Sequence, residues 1–397
     1  APEKSSGIYS FKVDIYSFGI IAIQIITDIE FHIEKIQNKV NQDFFKKCVS
    51  IDPEDRPTFF EICEYLVKKD FTSIFNLDFD EVNDFLDMFY EDAEADYFHG
   101  LFLSENDDNN NAIQYYKSSA EAGFIEAMNI YAKILIQGKG VDIDLKEAAK
   151  YFKMAADKGH VEAMYNYAKM LKKGQGLPVN YEQSILYFKM AADKGHVGAM
   201  NHYAKMLKKG QGLPINYEES IRYFKMAIDK GHPGAMNNYG IMLNDGKGVK
   251  IDKKEAVRYY KMAYKRGHSD ALVNYALMLN NGSGITKNIE KAIKFLKKAI
   301  DKGNFYAMYY LALMFVNGNG IQIDKNKAAE YFKMAAPYFK RAAEEGKVDA
   351  FCLYANILYF GDGVEVDKEK SAQYFKKAAD EGNIYAMRMY ANLLYKG

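Results

Sequence analysis

EAMYNYAKMLKKGQGLPVNYEQSILYFKMAADKG, residues 162–195, holds two helical segments separated by a GxG and closed by a third glycine. In the first segment Ala163, Tyr167 and Leu171 recur at i, i+4 and i+8 and therefore share one face of a helix. Gly174 follows, able to take the left-handed conformation that ends a helix. Asn180 and Gln183 have the spacing of a capping box and open the second helix, which carries an aromatic pair, Tyr187 and Phe188, and an alanine pair, Ala191 and Ala192, before Gly195. Two antiparallel helices this short cannot bury both apolar faces by themselves, so the unit needs neighbours of its own kind.

Those neighbours are in the chain. The closing glycine recurs at 123, 159, 195, 231, 267, 303, 346 and 382, a spacing of 36 residues broken once by 43. An alanine stands at the first inward position of every copy, at 127, 163, 199, 235, 271, 307, 350 and 386. A methyl-sized residue at a fixed helical site lets the adjacent helix approach closely. Asp144 with Glu147, Asn216 with Glu219 and Asp252 with Glu255 repeat the capping-box spacing. The fold class that follows is all-α, an α/α superhelical solenoid of helix pairs. The 43-residue copy reads YFKMAAPYFKRAAEEGK, a seven-residue duplication. Seven residues are nearly two turns, with ~20° of drift, so the inward face is kept and the helix lengthens by about 10 Å, with Pro337 predicted to kink it.

The pattern A-x-x-x-Y-A-x-x-L-x-x-G-x-G-V, followed by A-x-x-Y-F-K-x-A-A-x-x-G, resembles the Sel1-like repeat, a relative of the tetratricopeptide repeat. The resemblance covers residues 96–397 and implies a right-handed superhelix that serves as a scaffold for protein complexes, in cytosolic signalling and in protein quality control.

Composition bounds the rest. The formal charge is zero, but residues 1–69 have nine Lys/Arg against eleven Asp/Glu, residues 70–116 none against thirteen, and residues 117–397 have 44 against 29. This marks an acidic connector, assigned to 70–95, between an N-terminal segment and a mildly basic repeat region. The three cysteines, Cys48, Cys63 and Cys352, have no metal-ligand or disulfide spacing, which favours a reducing, cytoplasmic setting. No apolar run is long enough to span a bilayer. A chain that opens on APEK and stops at Gly397 in mid-repeat reads as a piece of a longer protein, so targeting signals are not expected to be visible.

APE at 1–3, KVDIYSFGI at 12–20 and CVSIDPEDRPTFFEI at 48–62 resemble, in order, three landmarks of the protein-kinase C-terminal lobe. The resemblance implies a buried ion pair between Glu3 and Arg56, and an Asp14 that opens the lobe's central helix and supports the catalytic loop. Both roles are structural. Phosphoryl transfer needs a Gly-rich loop, a phosphate-binding lysine, an HRD-type catalytic loop and a DFG aspartate, and none is in this sequence, so no catalytic residue and no cofactor is assigned. This chain alone is read as non-catalytic. The rival reading makes it the C-terminal part of a protein kinase whose repeats recruit substrates or regulators.

The repeated residues offer three tempting sites. The GxG pairs lack the third glycine and the preceding strand of a phosphate loop, and read as helix stops. His160, His196, His232 and His268 recur every 36 residues, but stacked helices lie ~8 to 10 Å apart, too far for shared metal ligation, so they are assigned to turns and no metal is expected. A lysine precedes each repeat glycine by six residues, as in Lys189 and Lys225; this is a solvated outer face, and the lack of a polar code on the first helices argues against an RNA-binding repeat. The candidate partner site lies instead on the first helices, at the sixth and tenth positions after the glycine. There the ends of the array are polar while the middle is apolar: Ile241, Val273, Leu277, Tyr309 and Leu313. An exposed apolar patch of this kind would receive a protein partner, as a helix or a peptide in the solenoid groove. Burial by the curvature of the array or under the long sixth unit is the competing assignment.

Overall fold

The computed structural model of the protein describes residue 47 and residues 92–396, apart from 319–320, 345–347 and 362–363. Glu3, Asp14 and Arg56 lie outside the described residues. The described part is all helix and turn, and it falls into two compact units, one ending at Lys194 and one beginning at Gly195. The first holds three helix pairs: α1 (Asp92–Glu105) with α2 (Asn109–Glu121), α3 (Ile125–Gln137) with α4 (Leu145–Asp157), and α5 (Val161–Lys173) with α6 (Tyr181–Asp193). The second holds α7 (Val197–Lys209) with α8 (Tyr217–Asp229), α9 (Pro233–Asp245) with α10 (Lys253–Lys265), α11 (Ser269–Asn281) with α12 (Ile289–Ile300), α13 (Phe305–Asn317) with α14 (Lys325–Glu344), α15 (Val348–Phe360) with α16 (Lys368–Asp380), and then α17 (Ile384–Lys396). Within each unit every helix packs on the next, which is the solenoid expected from the period.

The periodic residues are the core. All eight repeat alanines have no exposed surface. Four residues further on, a tyrosine meets an aromatic ring of the second helix edge to face: Tyr131 with Tyr151, Tyr167 with Tyr187, Tyr203 with Tyr223, Tyr239 with Tyr259 and Tyr275 with Phe295, at 4.7 to 5.3 Å between centroids. That geometry sets the positive ring edge against the negative face and adds to the area buried. Where the second helix has a serine in place of its first inward alanine, the hydroxyl is satisfied: Ser184 and Ser220 donate to the carbonyls of Ala168 and Ala204 at 2.8 and 2.7 Å.

The caps differ from the expected box in one respect. Asp144, Asn180, Asn216 and Asp252 each accept from the backbone N–H three residues on, at 2.8 to 3.0 Å. Their own N–H groups, however, donate to the carbonyls of Leu135, Leu171, Leu207 and Leu243 on the preceding helix, where a box would use the Glu or Gln side chain. The cap thus ties the first helix to the second, and Glu219 is left to accept from the Tyr203 hydroxyl at 3.0 Å.

The GxG has two jobs. Gly174 is the left-handed helix stop at φ 67°. Gly176, two residues on, packs against the previous pair: a Cβ there would fall on the backbone carbonyl of Leu145. The seven-residue duplication makes α14 a 20-residue helix where its counterparts have 12 or 13, with Pro337 inside it.

Candidate protein-binding groove

A groove on the second unit is lined by residues of four first helices and one helix cap. Asn237, Asn238 and Ile241 on α9, Asp270, Val273 and Asn274 on α11, Tyr306 and Tyr310 on α13, and Cys352 and Leu353 on α15 line a groove of about 450 Å³, closed by Asn383 ahead of α17. The lining falls at the third, sixth, seventh and tenth positions after each repeat glycine, one helical face.

The floor is an amide ladder. The Asn238 side-chain amide donates to Asn201 Oδ1 at 2.9 Å, and the Asn274 amide donates to Asn237 Oδ1 at 2.8 Å, each rung joining the first helices of adjacent pairs. Asn201 and Asn237 are buried, 8% and 6% exposed, so these bonds hold polar groups that burial alone would penalise. Asp270 is exposed and accepts from the Asn304 amide at 2.7 Å. It is the sole charged side chain of the lining. Basic charge gathers elsewhere in the unit: burial, then Lys247, Lys209 and Lys205, push the Lys208 amine down to about 8, with Asp245 opposing.

The four periodic histidines cap the first helices. His160, His196, His232 and His268 each accept at Nδ1 from the backbone N–H of the repeat alanine, at 3.0 to 3.3 Å. Asn304 and Asn383 do the same for Ala307 and Ala386. An imidazole that accepts at Nδ1 must be neutral. Burial lowers the pKa of His160, His232 and His268 accordingly, the helix N-terminus being a poor place for added positive charge. The exchange of His for Asn in the same register was the sequence signal for this role. Among the described residues no group of His, Cys, Asp and Glu side chains could hold a metal.

Of the five expected partner residues, Ile241 and Val273 line the groove and the others do not. Val273 and Tyr309, expected on an exposed face, are buried at 3% and 6%. The sixth position is buried in copies of regular length too, at Asn201 and Asn237, and at Tyr309 the lengthened α14 adds a second ring: Phe332 and Phe339, two turns apart, set their rings 5.5 and 5.7 Å from it. That environment drives its hydroxyl pKa upward, chiefly by desolvation. Leu313 is half-buried against the same core cluster, and Leu277 is half-buried outside the groove. The sequence reading missed Asn238, Asn274, Tyr306 and Tyr310, which lie a fraction of a turn from the positions it compared. The outer lysines behave as expected: Lys153 and Lys189 pair with Asp157 and Asp193 at i, i+4, with about half of each side chain in solvent.

Comparison with known proteins bears on the whole repeat region. A curated relative, a probable serine/threonine-protein kinase of Dictyostelium discoideum, is 36% identical over 87 residues, covering 17% of this chain and 20% of that one. The chain thus spans about a fifth of that relative's length. A Sel1 repeat protein from Oxalobacter formigenes superimposes with a TM-score of 0.56 at 24% identity, covering 60% of this chain and 96% of that one. The protective antigen c5321 of uropathogenic Escherichia coli, described as displaying an SLR fold, superimposes with a TM-score of 0.55 at 21% identity over 81% of this chain and 68% of that one. The sequence model of the Sel1 repeat matches residues 93–124, 125–160, 161–196, 197–232, 233–268, 269–304, 305–336 and 349–383. With eight such matches over most of its length, in phase with the helix pairs described above, the chain belongs to the Sel1 repeat family.

Proposed function

We propose that this chain is a protein-binding scaffold and that the groove of its second unit receives the partner. One observation carries the reading: four successive first helices of the second unit present amides, aromatic rings and the half-buried Ile241 and Leu353 to a single concavity that holds no lysine or arginine. Mixed apolar and hydrogen-bonding walls suit a polypeptide better than nucleic acid, which would call for unpaired cations along the groove. No helix among the described residues is long and apolar enough to cross a membrane. A cytoplasmic setting and the division into kinase-like segment, acidic connector and repeats belong to the same proposal.

Ile241→Asp with Leu353→Asp tests it. Both side chains are half-buried and Leu353 packs against the core, so loss of a bound partner in co-purification is read on a variant whose helical content and melting temperature match the parent. Retention of the partner by the double variant would refute the site. A second reading, that the repeats serve a protein kinase, is favoured by the 36% identity to the Dictyostelium kinase. Gly-rich, HRD and DFG motifs encoded upstream of Ala1 would decide for it.

A further inference from the structure

We infer that the occupant of the groove is an extended peptide segment, wound with three residues per turn and carrying a basic side chain that pairs with Asp270, rather than an amphipathic helix. The inference rests on the groove being the protein-binding site.

The amide ladder is the first ground. An asparagine side chain offers two N–H donors and two lone pairs. Each rung spends one donor of the outer residue, Asn238 or Asn274, on its buried neighbour. That bond fixes the plane of the outer amide, whose oxygen and second N–H belong to a residue lining the groove. Oriented amides of this kind match a backbone with open N–H and C=O groups. An α-helix has closed its own backbone bonds internally and can offer such amides only side chains.

Spacing is the second. The rungs sit on consecutive first helices, and packed helices lie ~8 to 10 Å apart. A polyproline-type chain rises ~3.1 Å per residue with three residues per turn, so equivalent backbone groups return every ~9 Å with no internal hydrogen bonds. A β-strand repeats every ~6.6 Å and falls out of phase after one rung. Tyr306 and Tyr310 supply the aromatic wall against which such chains pack.

Charge is the third. The lining holds one carboxylate, Asp270, and no lysine or arginine. Asn304 holds Asp270 Oδ1 at 2.7 Å, which orients the group and leaves its second oxygen for an incoming ammonium or guanidinium. The aliphatic stem of that side chain would lie along the tyrosine rings.

The test is a phage-displayed random dodecapeptide library selected on the full chain, followed by fluorescence anisotropy of the recovered peptides. Binders should be rich in Lys or Arg and in Pro, and free of apolar residues at i, i+3, i+4 spacing. Asp270→Asn keeps the acceptor for Asn304 and should weaken binding roughly tenfold, and Asp270→Lys should shift selection toward acidic peptides. Asn238→Ala with Asn274→Ala, matched to the parent in circular dichroism and melting temperature, should weaken binding at least as much, as should N-methylation of every third peptide amide. Helix-forming or acidic binders, or binders indifferent to both the asparagines and Asp270, overturn the inference; if those binders are still lost with Ile241→Asp and Leu353→Asp, the groove itself survives as the site. No binder at all, or binders untouched by Ile241→Asp and Leu353→Asp, overturn both.

Discussion

Replacing His232 and His268 by asparagine should leave the second unit equally stable at neutral pH and make it more stable than the parent in acid. Both imidazoles cap a helix by accepting at Nδ1, from Ala235 at 3.1 Å and Ala271 at 3.3 Å. Asn304 already performs this role for Ala307 at 3.1 Å with a group that does not titrate. In the unfolded chain histidine titrates near 6.5. In the folded unit both pKa values are lower, by burial first; His268 and His196 add to this for His232, while for His268 Asp270 opposes and Lys205 adds. The unfolded state therefore binds more protons in the interval between the two pKa values. The capping contribution is complete above about pH 6.5 and drains away as the pH falls through that interval. Each cap is worth ~1 kcal/mol, so the pair accounts for about 2 kcal/mol. For a unit of this size one kcal/mol shifts the melting temperature by ~2 to 4 °C, which places the acid penalty at ~4 to 8 °C. Thermal melts of parent and double variant between pH 5 and 8 measure it, as the difference between the two profiles. Carboxylates cancel in that difference because they are common to both proteins. Parallel profiles would show that the imidazoles are not the caps the geometry makes them.

Three further outcomes follow from the packing. Gly176→Ala should cost more than ~2 kcal/mol, because a left-handed φ of 74° is joined by a collision with the backbone of Leu145, which cannot rotate away; a melt at neutral pH reads it. Tyr309→Ala should cost ~3 to 5 kcal/mol as a core truncation and not behave as a surface change, which urea titration distinguishes. Ser220→Ala should fall within ~0.5 kcal/mol of the parent, since Ala148, Ala256 and Ala292 occupy the same site elsewhere and the carbonyl that loses its hydroxyl keeps its helical partner.

Much of this architecture is visible in the sequence because its cause is periodic. The alanines at 163 and 199, the tyrosines at 167 and 203 and the asparagine caps at 180 and 216 each recur in phase, and a residue repeated at one helical position reports one packing environment. The groove was less legible. A comparison of sixth and tenth positions isolates a stripe, but the surface a first helix shows depends on how closely its neighbour approaches, and that approach buries Val273 while exposing Asp270 three residues away. Tyr309 escaped for another reason: of the two rings that cover it, Phe332 holds the periodic aromatic position while Phe339 comes from the duplicated heptad of α14, outside the regular period. The histidine caps were hidden because imidazole is an uncommon cap, and only the asparagines at 304 and 383 disclose the shared role.

The duplicated heptad in α14 shows what this fold does with an accident of copying. Residues 331–337 and 338–344 are near-copies, YFKMAAP and YFKRAAE, and their burial runs in parallel: Phe332 and Phe339 at 2% and 0%, Ala335 and Ala342 at 0% and 3%, Ala336 and Ala343 at 5% and 4%. An insertion of five residues would have swung the second phenylalanine some 140° around the axis, at ~100° per residue, into water. Seven leave it facing the core. The helical repeat therefore acts as a reading frame of its own, laid over that of the gene. Duplications that respect both are absorbed as added length, and this one adds the contacts of Phe339 with Phe305, Tyr306 and Tyr309 without touching a residue of the neighbouring first helix.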